Sequence, residues 1–303
     1  ITMTISGQPI TQRFVVLEEF GAGGQAMVKR VLNQTQGNRI EVFKVAFEQY
    51  AKDENFRARF FGEADMLASL DPLKHPNVVK VFGSGELDGA PFYSMEYIAG
   101  ASLEKLLGRS PQFSMLAATR MMLEIAYAFG GIHAEGIVHR DVKPDNILLS
   151  DDLIKVIDFG IARDSKIVHK LTQTGTVFGT PEYMAYEQHQ GRGIDHRTDI
   201  FAEGAIFFRL LTGQVPFPLM EGEAYGSYIG RIMPLMQENH VPQIKDHLPN
   251  IDAVKLRPVL EHLQNMFNKL LVANIDYRYE DNNLFIQDLK VLEQLLIGHG
   301  EKG

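Results

Sequence analysis

The segment IVHRDVKPDNILL, residues 137–149, places charged and amide side chains between two apolar ends. Asp141 could accept a proton from a hydroxyl nucleophile, and Lys143, two residues on, could reach an anionic group in transfer. Asn146, five residues after Asp141, offers an amide oxygen of the kind that suits Mg²⁺. Asp158 follows twelve residues later, in VIDFG, at the end of an apolar run. These residue types indicate proton transfer beside a metal–phosphate cluster; a polar hairpin loop is the structural alternative.

A lysine and a glutamate upstream could complete such a site. Lys44 lies in the strand-like run EVFK, and Glu63 follows nineteen residues later in a helical pattern. Glu63 points with the apolar stripe of Phe60 and Leu67, and an acid on a buried face needs a partner. A Lys44–Glu63 pair would hold the ammonium group toward phosphate oxygens. Taken alone, a lysine in a strand is an ordinary solvated surface residue.

The segment GAGGQAMV, residues 21–28, is a glycine-rich turn between two strand-like runs. A dinucleotide-binding turn would continue into a helix, but AMVKRVLN alternates like a strand, and Ala26 stands at the third glycine position. The pattern favours a flap over phosphates, with a structural tight turn as the alternative.

The elements that must position these residues change in kind along the chain. Strands are predicted at 13–20, 26–33, 39–47, 77–85 and 91–98, the first three as a meander, and a helix at 53–70. From Ser102 onward, long helices are predicted at 102–108, 114–134, 195–212, 223–238, 255–272 and 284–297. Pro258 is expected to bend or start its helix. Residues 99–102, AGAS, are the natural hinge between the two parts.

Composition and charge limit the class of protein. A chain of 303 residues with 45% hydrophobic and 22% charged residues is typical of a globular protein with a sizeable core. The net charge of −8 argues against a nucleic-acid binder, and the absence of cysteine excludes disulfides and a cysteine nucleophile. No apolar run approaches the roughly 18 residues of a membrane span, so we expect no membrane segment within this chain and a cytoplasmic location. The first residue, Ile1, suggests a fragment of a longer chain.

Residues 13–297 resemble the eukaryotic-type (Hanks-type) protein kinase family, in its Ser/Thr branch and closest to the bacterial members. The motifs that occur in family order are GAGGQAMV, Lys44, Glu63, HRDVKPDN, DFG, GTPEYMAYE (179–187), DIFAEG (199–204) and Arg278. The resemblance implies an α+β, bilobal protein-kinase fold, with a small five-stranded antiparallel β lobe carrying one helix and a larger, mainly helical lobe. It also implies an ATP-binding lobe at 1–98, a catalytic and substrate-binding lobe at 99–297, and a tail at 298–303.

Carried over by position, the resemblance assigns most of the residues above to nucleotide binding. The phosphates would be covered by the backbone of Gly21, Ala22, Gly23 and Gly24. Lys44 would touch the α- and β-phosphates of ATP and be held by Glu63. The adenine would lie between Val28, Val42 and Leu148, behind Met95 at the gatekeeper position, with its edge against the backbone of Glu96 and Ile98.

The same resemblance assigns the segment HRDVKPDN, residues 139–146, to phosphoryl transfer onto protein substrates. We call this segment the charged loop. Asp141 would accept the proton of the substrate hydroxyl, while Lys143 would neutralise charge on the γ-phosphoryl group. Asn146 and Asp158 would hold Mg²⁺, with Mn²⁺ as an alternative metal. Two rival functions stay open at this point: a pseudokinase that serves as a binding scaffold, and a kinase of small molecules on a related fold.

Control by phosphorylation is expected in the segment LTQTGTV. Arg140 precedes the catalytic aspartate, and Arg163 could join it in binding a phosphothreonine. Of the candidates Thr172, Thr174 and Thr176, we favour Thr172 and Thr174 as phosphosites. Phosphorylation in trans would require at least a transient homodimer. The alternative is that these threonines are ordinary polar loop residues.

Several positions depart from the family pattern. Val42 stands where the family usually has Ala, and Tyr186 replaces the Pro before Glu187. Arg209 stands where the family usually has Glu, a change for which the sequence offers no physical account. Glu187 and Arg278 are both present, so we expect the ion pair that braces the substrate-docking loop.

Overall fold

The structure is a computed structural model, and it describes residues 4–5, 8–9, 13–22, 25–150, 153–160, 180–248 and 251–300. The chain divides into two compact units. One contains Ile1–Gly100 and Lys155–Ala162, and the other contains Ala101–Ile154 and Arg163–Gly303.

The first unit is built on a five-stranded antiparallel sheet. Its strands are β3 (Phe14–Ala22), β4 (Ala26–Asn33), β5 (Arg39–Ala46), β6 (Val81–Leu87) and β7 (Ala90–Glu96). Their order is β3-β4-β5-β7-β6, so the predicted meander of the first three strands is confirmed. Two short strands, β1 (Thr4–Ile5) and β2 (Gln8–Pro9), pair with each other.

Successive side chains along β5 point to opposite faces of the sheet, so its apolar core residues and Lys44 lie on different faces. One face of the sheet carries an apolar cluster of Phe14, Val31, Phe43, Val45 and Phe92. Lys44 lies between two members of this cluster in sequence, so its side chain points to the opposite face. There it is paired in register with Tyr93 on β7.

Helix α2 (Glu54–Ser69) supplies the acidic partner expected from the sequence. The carboxylate of Asp53 caps its first turn by accepting the backbone N–H of Phe56 at 3.0 Å. The buried face consists of Phe56, Phe60, Glu63, Ala64 and Leu67. Glu63 is 1% exposed, which confirms that it shares the apolar stripe. A four-residue helix, α1 (Glu48–Ala51), precedes α2 and was not predicted.

The second unit is mainly helical. Its helices are α3 (Leu103–Arg109), α4 (Met115–Ala134), α5 (Tyr186–Gln190), α6 (His196–Thr212), α7 (Tyr225–Gln237), α8 (Arg257–Leu270) and α9 (Asn282–Gly298). Strand β9 (Ile147–Ser150) belongs to it, whereas β8 (Gly100–Ser102) and β10 (Ile154–Val156) cross the division between the units. Pro258 lies in the first turn of α8, so it starts this helix as predicted. In the described part of the chain, no helix is long and apolar enough to cross a membrane.

The centre of the second unit is α6, which packs against α8 at a glycine. A Cβ added to Gly204 would lie 2.6 Å from the Cβ of Leu270. We therefore expect Gly204→Ala to lower the free energy of unfolding by about 1–3 kcal/mol, because the two helices would have to separate. Gly62→Ala on α2 is the matched control, since no atom lies within 4 Å of its added Cβ. That variant should gain roughly 0.5–1 kcal/mol from helix propensity. Chemical denaturation of both variants checks the difference in sign.

Candidate active site

Lys44 contacts two carboxylates within the first unit. Its Nζ lies 3.0 Å from Oε1 of Glu63 and 3.0 Å from Oδ1 of Asp158. Burial lowers the pKa of Lys44, but the charges of Asp158 and Glu63 outweigh burial, so this pKa lies well above its ordinary value. The ammonium group therefore keeps its charge, and it is available to an anion that reaches this face of the sheet.

Asp158 is held in a conformation that few non-glycine residues adopt. Its φ is +55°, in the left-handed region, which costs roughly 1–3 kcal/mol. Two residues earlier, Val156 is fixed on both sides: its N–H donates to the carbonyl of Asn77 at 2.7 Å, and its carbonyl accepts from the N–H of Val79 at 3.1 Å. The end of β10 thus presents the Asp158 carboxylate to Lys44.

The side chains predicted to enclose the adenine share the face of Lys44 in the first unit. Val28 lies opposite Lys44 in register, and Val42 lies opposite Met95. Because side chains two residues apart point the same way, all three share the Lys44 face. The N–H of Glu96 donates to the carbonyl of Lys80 at 2.9 Å, so Glu96 would have to use its carbonyl oxygen toward a base.

The remaining nucleotide-binding predictions are only partly located. Ile98 is half-buried after β7, and Leu148 is half-buried on β9 of the second unit. In the glycine-rich turn, Gly21 and Ala22 extend β3. Gly23, Gly24, Arg163, Thr172, Thr174 and Thr176 lie outside the described residues.

The charged loop of the second unit is organised around Asp141. Its Oδ2 lies 3.2 Å from Nζ of Lys143 and 3.0 Å from Nδ2 of Asn146, and Nδ2 also donates to the backbone carbonyl of Asp141 at 2.8 Å. The N–H of Asp141 donates to Nδ1 of His139 at 3.2 Å. The structure thus brings together the three loop residues that the sequence singled out, with one carboxylate oxygen facing both the ammonium group and the amide donor.

Asp199 on α6 fixes the backbone before Asp141. Its carboxylate accepts the N–H of His139 at 2.7 Å and that of Arg140 at 2.9 Å. Arg140 has a positive φ of 66°, so the backbone of this turn needs contacts with other segments to stabilise it. His133 approaches the same carboxylate, with Nε2 2.9 Å from Oδ2.

A buried acid, Glu203, and a buried amide, Asn282, continue this hydrogen-bond network, and neither was predicted from the sequence. Nδ2 of Asn282 lies 3.0 Å from both carboxylate oxygens of Glu203, and its Oδ1 faces Nδ1 of His133 at 2.8 Å. Both ring nitrogens of His133 thus face acceptors, which favours the doubly protonated ring. Burial lowers the pKa of His133, but the hydrogen bond and charge of Asp199 outweigh burial and raise it. An acid inside the apolar helix pattern of α6 was the available signal, by the argument applied to Glu63.

The titration of Glu203 should make the stability of the protein depend on pH. Burial raises the pKa of this carboxyl from 4.5 to about 8, so the folded state binds a proton that the unfolded state releases. The contribution of Glu203 to stability is therefore complete below about pH 4.5, falls as pH rises and is lost by about pH 8. Glu203→Gln removes this titration. Between pH 4.5 and about pH 8, the free energy of unfolding of the variant should rise relative to that of the wild type by on the order of 4 kcal/mol.

Thermal unfolding between pH 5 and pH 8.5 tests this expectation. Glu203→Leu is the second variant, since it also removes the titration but leaves the Nδ2 of Asn282 without its acceptor. It should lose the same pH dependence while being less stable than Glu203→Gln at every pH. A constant difference between wild type and Glu203→Gln over this range would contradict the assignment.

The ion pair expected between Glu187 and Arg278 is present in the second unit. The two guanidinium nitrogens of Arg278 lie 2.7 and 2.8 Å from the two carboxylate oxygens of Glu187. The hydroxyl of Thr198 donates to the same carboxylate at 2.7 Å. Tyr186, in the place of the family's proline, is the first residue of α5. The side-chain oxygen of Gln188 accepts the N–H of Ala185, the residue before this helix, at 3.0 Å.

The structure also accounts for Arg209. Its guanidinium group makes a bidentate contact with Glu104 on α3, at 2.5 and 2.9 Å, and donates to the hydroxyl of Tyr183 at 2.6 Å. The change from the family's acid to a base is thus matched by an acid on the neighbouring helix.

The donor chemistry of Asn146 and Asp158 fits a hard divalent cation. The amide nitrogen of Asn146 is used by Asp141, so its oxygen is the atom that can serve as a ligand. Asp158 supplies a carboxylate, and oxygen donors of this kind suit Mg²⁺ or Mn²⁺. Among the described residues, no group of three or more acidic or histidine side chains could hold a metal by itself. A metal bound at Asn146 or at Asp158 would therefore need further oxygen ligands, such as those of phosphates.

Comparison with known proteins agrees with the motifs and the fold. The protein kinase domain family matches residues 14–287. The serine/threonine-protein kinase pkn3 of Myxococcus xanthus is 38% identical over 221 residues, which are 70% of this chain and 40% of that protein. The probable serine/threonine-protein kinase PknB of Lactococcus lactis is 33% identical over 285 residues, which are 93% of this chain and 42% of that protein. The chain thus spans about two fifths of the length of these relatives.

A solved structure supports the fold. The crystal structure of the PknI kinase domain of Mycobacterium tuberculosis, in a mutant form, matches 92% of this chain and 95% of its own, with a TM-score of 0.66 and 23% identity. The predicted α+β protein-kinase fold is thereby confirmed. With the kinase motifs in order over nearly its whole length, the chain belongs to the protein kinase domain family, in the Hanks-type Ser/Thr branch.

Proposed function

We propose that this domain transfers the γ-phosphoryl group of Mg-ATP to Ser and Thr hydroxyls of protein substrates. Membership of the family implies the use of ATP, a divalent metal and protein substrates in general. The observation that carries the proposal is the half-buried ammonium group of Lys44, 3.0 Å from each of two carboxylates, Glu63 and Asp158. The choice of Ser and Thr is supported by the loop sequence DVKPDN and by the printed names of the relatives.

In this proposal the first unit binds and orients the nucleotide. Lys44 contacts the α- and β-phosphates, and Glu63 keeps it in place when phosphate competes for its charge. The backbone of the flap covers the phosphates at Gly21, Ala22, Gly23 and Gly24. The adenine contacts are Val28, Val42, Met95 and Leu148, with backbone groups of Glu96 and Ile98 at its edge.

The second unit then supplies the proton acceptor. Asp141 takes the proton of the substrate hydroxyl, and the amide of Asn146 with the ammonium of Lys143 fixes the orientation of its carboxylate. Lys143 also offsets negative charge on the transferred group. Mg²⁺, held by Asn146 and Asp158, would neutralise phosphate oxygens. Charge stabilisation and positioning are the main sources of rate in phosphoryl transfer, so each of these contacts should contribute.

We further propose that the domain is activated by its own phosphorylation at Thr172 or Thr174, in a transient homodimer. A new phosphate there would be paired with Arg140 and Arg163. A cytoplasmic location, where ATP is supplied, stays a prediction of the sequence.

Radiolabel transfer from ATP tests the proposal. The purified chain should label a generic basic protein with Mg²⁺ present, and mass spectrometry should find phosphate on Thr172 or Thr174. Lys44→Ala and Asp141→Asn should abolish both signals if the phosphate is self-made. No label above the level of Asp141→Asn would instead favour a pseudokinase scaffold.

A further inference from the structure

Tyr93 is a buried residue next to the Lys44–Glu63 pair that neither the motifs nor the predicted roles include. It lies on β7, directly opposite Lys44 on β5, so both side chains point to the same face of the sheet. Its hydroxyl donates to Oε1 of Glu63 at 2.7 Å, and the residue is 1% exposed.

The ring of Tyr93 is held on two sides. The ring of Phe60, on α2, lies 5.2 Å away between centroids, and Nζ of Lys44 lies 5.4 Å from the centroid of the tyrosine. Phe60 and Glu63 are three residues apart on α2, so one helix face contacts both the ring and the hydroxyl of Tyr93. The hydroxyl therefore has little freedom to point anywhere except at the carboxylate.

The hydroxyl and Lys44 meet at the same atom of Glu63. Oε1 receives the tyrosine at 2.7 Å and the ammonium group at 3.0 Å, while Oε2 is buried and has no hydrogen-bond partner among the described residues. Glu63 is thus oriented by two donors, and only one of them is neutral. Burial raises the pKa of Tyr93, so the hydroxyl stays a donor.

Lys44 is shared between Glu63 and Asp158, and the proposed function gives Asp158 a second task. When Asp158 turns its carboxylate to a metal, Glu63 must hold Lys44 without that contact. The hydroxyl of Tyr93 donates to Glu63, so this hydrogen bond does not require the contact between Lys44 and Asp158.

We propose that Tyr93 is a positioning residue for phosphoryl transfer: its hydroxyl fixes the carboxylate of Glu63, which keeps Lys44 aimed at the phosphates. This inference rests on the proposed function. In this role Tyr93 does not contact the substrate. Its hydroxyl affects the rate of transfer by orienting the carboxylate of Glu63.

The test is Tyr93→Phe, which keeps the ring and removes only the hydroxyl. We expect kcat to fall about tenfold, with KM for ATP changing less than about threefold, since misalignment of a charged group affects the transition state more than binding. Tyr50→Phe is the matched control, because the ring of Tyr50 also packs on α2, 5.1 Å from that of Phe56. It should leave both constants unchanged.

A double-mutant cycle separates positioning from packing. If Tyr93 acts through Glu63, Tyr93→Phe should cause no further loss in a Glu63→Gln background. A tenfold loss in that background, or unchanged kinetics of Tyr93→Phe in the wild type, would overturn the inference.

Hydrogen exchange of the backbone of α2 gives a readout that needs no activity. Tyr93→Phe should increase exchange around Glu63 severalfold, and again not in the Glu63→Gln background. Should the wild type transfer no phosphate, the proposed function fails, and the exchange data still decide whether Tyr93 anchors Glu63. Equal exchange in wild type and Tyr93→Phe would overturn the anchoring.

Discussion

Replacing Asp141 by Asn is expected to lower kcat by about 10³-fold. An amide of the same shape cannot accept the proton of the substrate hydroxyl, and proton transfer by a positioned carboxylate typically contributes 10²–10⁴-fold. The contacts of Asp141 with Lys143 and Asn146 come from one carboxylate oxygen, so the loop should keep its conformation in the variant. Initial rates at saturating ATP, together with KM for ATP, measure the effect.

The thermal midpoint of Asp141→Asn should stay within a few degrees of the wild type, which separates lost chemistry from lost folding. Asp246→Asn is the control for the substitution itself, since Asp246 is exposed in a 3₁₀ turn of the second unit. It should retain wild-type kcat. If Asp141→Asn kept more than a tenth of the wild-type rate, the role of Asp141 as proton acceptor would be wrong.

Replacing Arg278 by Leu is expected to lower the free energy of unfolding by about 3–5 kcal/mol. The guanidinium group is completely buried, and it donates to Glu187 as well as to the carbonyls of Val272 and Ala273. Without it, the carboxylate of Glu187 would lose both guanidinium donors and keep the hydrogen bond from the hydroxyl of Thr198. A buried charge without its counter-ion is far more costly than a missing surface pair. Chemical denaturation measures the loss.

Two further variants show whether the buried charge is the cause. The double variant Glu187→Leu with Arg278→Leu removes both charges, so it should recover part of the stability that Arg278→Leu loses. Arg257→Leu breaks an exposed pair with Glu261 on α8 and should change stability little. A loss of less than about 1 kcal/mol in Arg278→Leu would mean that the pair contributes no more than a surface pair does.

The elements that position the site were largely predictable, because their signals are local. β4 spans the predicted residues, Ala26–Asn33, and α2 ends within one residue of the predicted helix at each end. Periods of two and of about 3.6 residues are set by backbone geometry, so they appear in the order of apolar residues. The prediction was weaker at the strand expected over 77–85, which begins at Val81. Val78 and Val79 are buried but do not belong to β6, so the apolar residues before Val81 indicate burial and not a strand.

The burial of Glu63 was predicted for a related reason. Its place on an apolar stripe required a cation, and Lys44 is 3.0 Å away. Glu203 also lies in an apolar helix pattern, so its need for a partner was predictable from the sequence. The identity of that partner was not, because Asn282 is 79 residues distant.

By itself, the sequence determined the types of element, the order of the motifs, the family and the identity of the charged residues that must be paired. Only the tertiary structure decided which partner each one has. Tyr93 meets Glu63 because β5 and β7 pair in one register, and Arg209 meets Glu104, 105 residues away, because of how α6 and α3 pack. The period of apolar side chains is set by a few neighbouring residues and can be seen in the sequence. Strand register and helix packing depend on the free energy of the whole unit, to which distant segments contribute jointly.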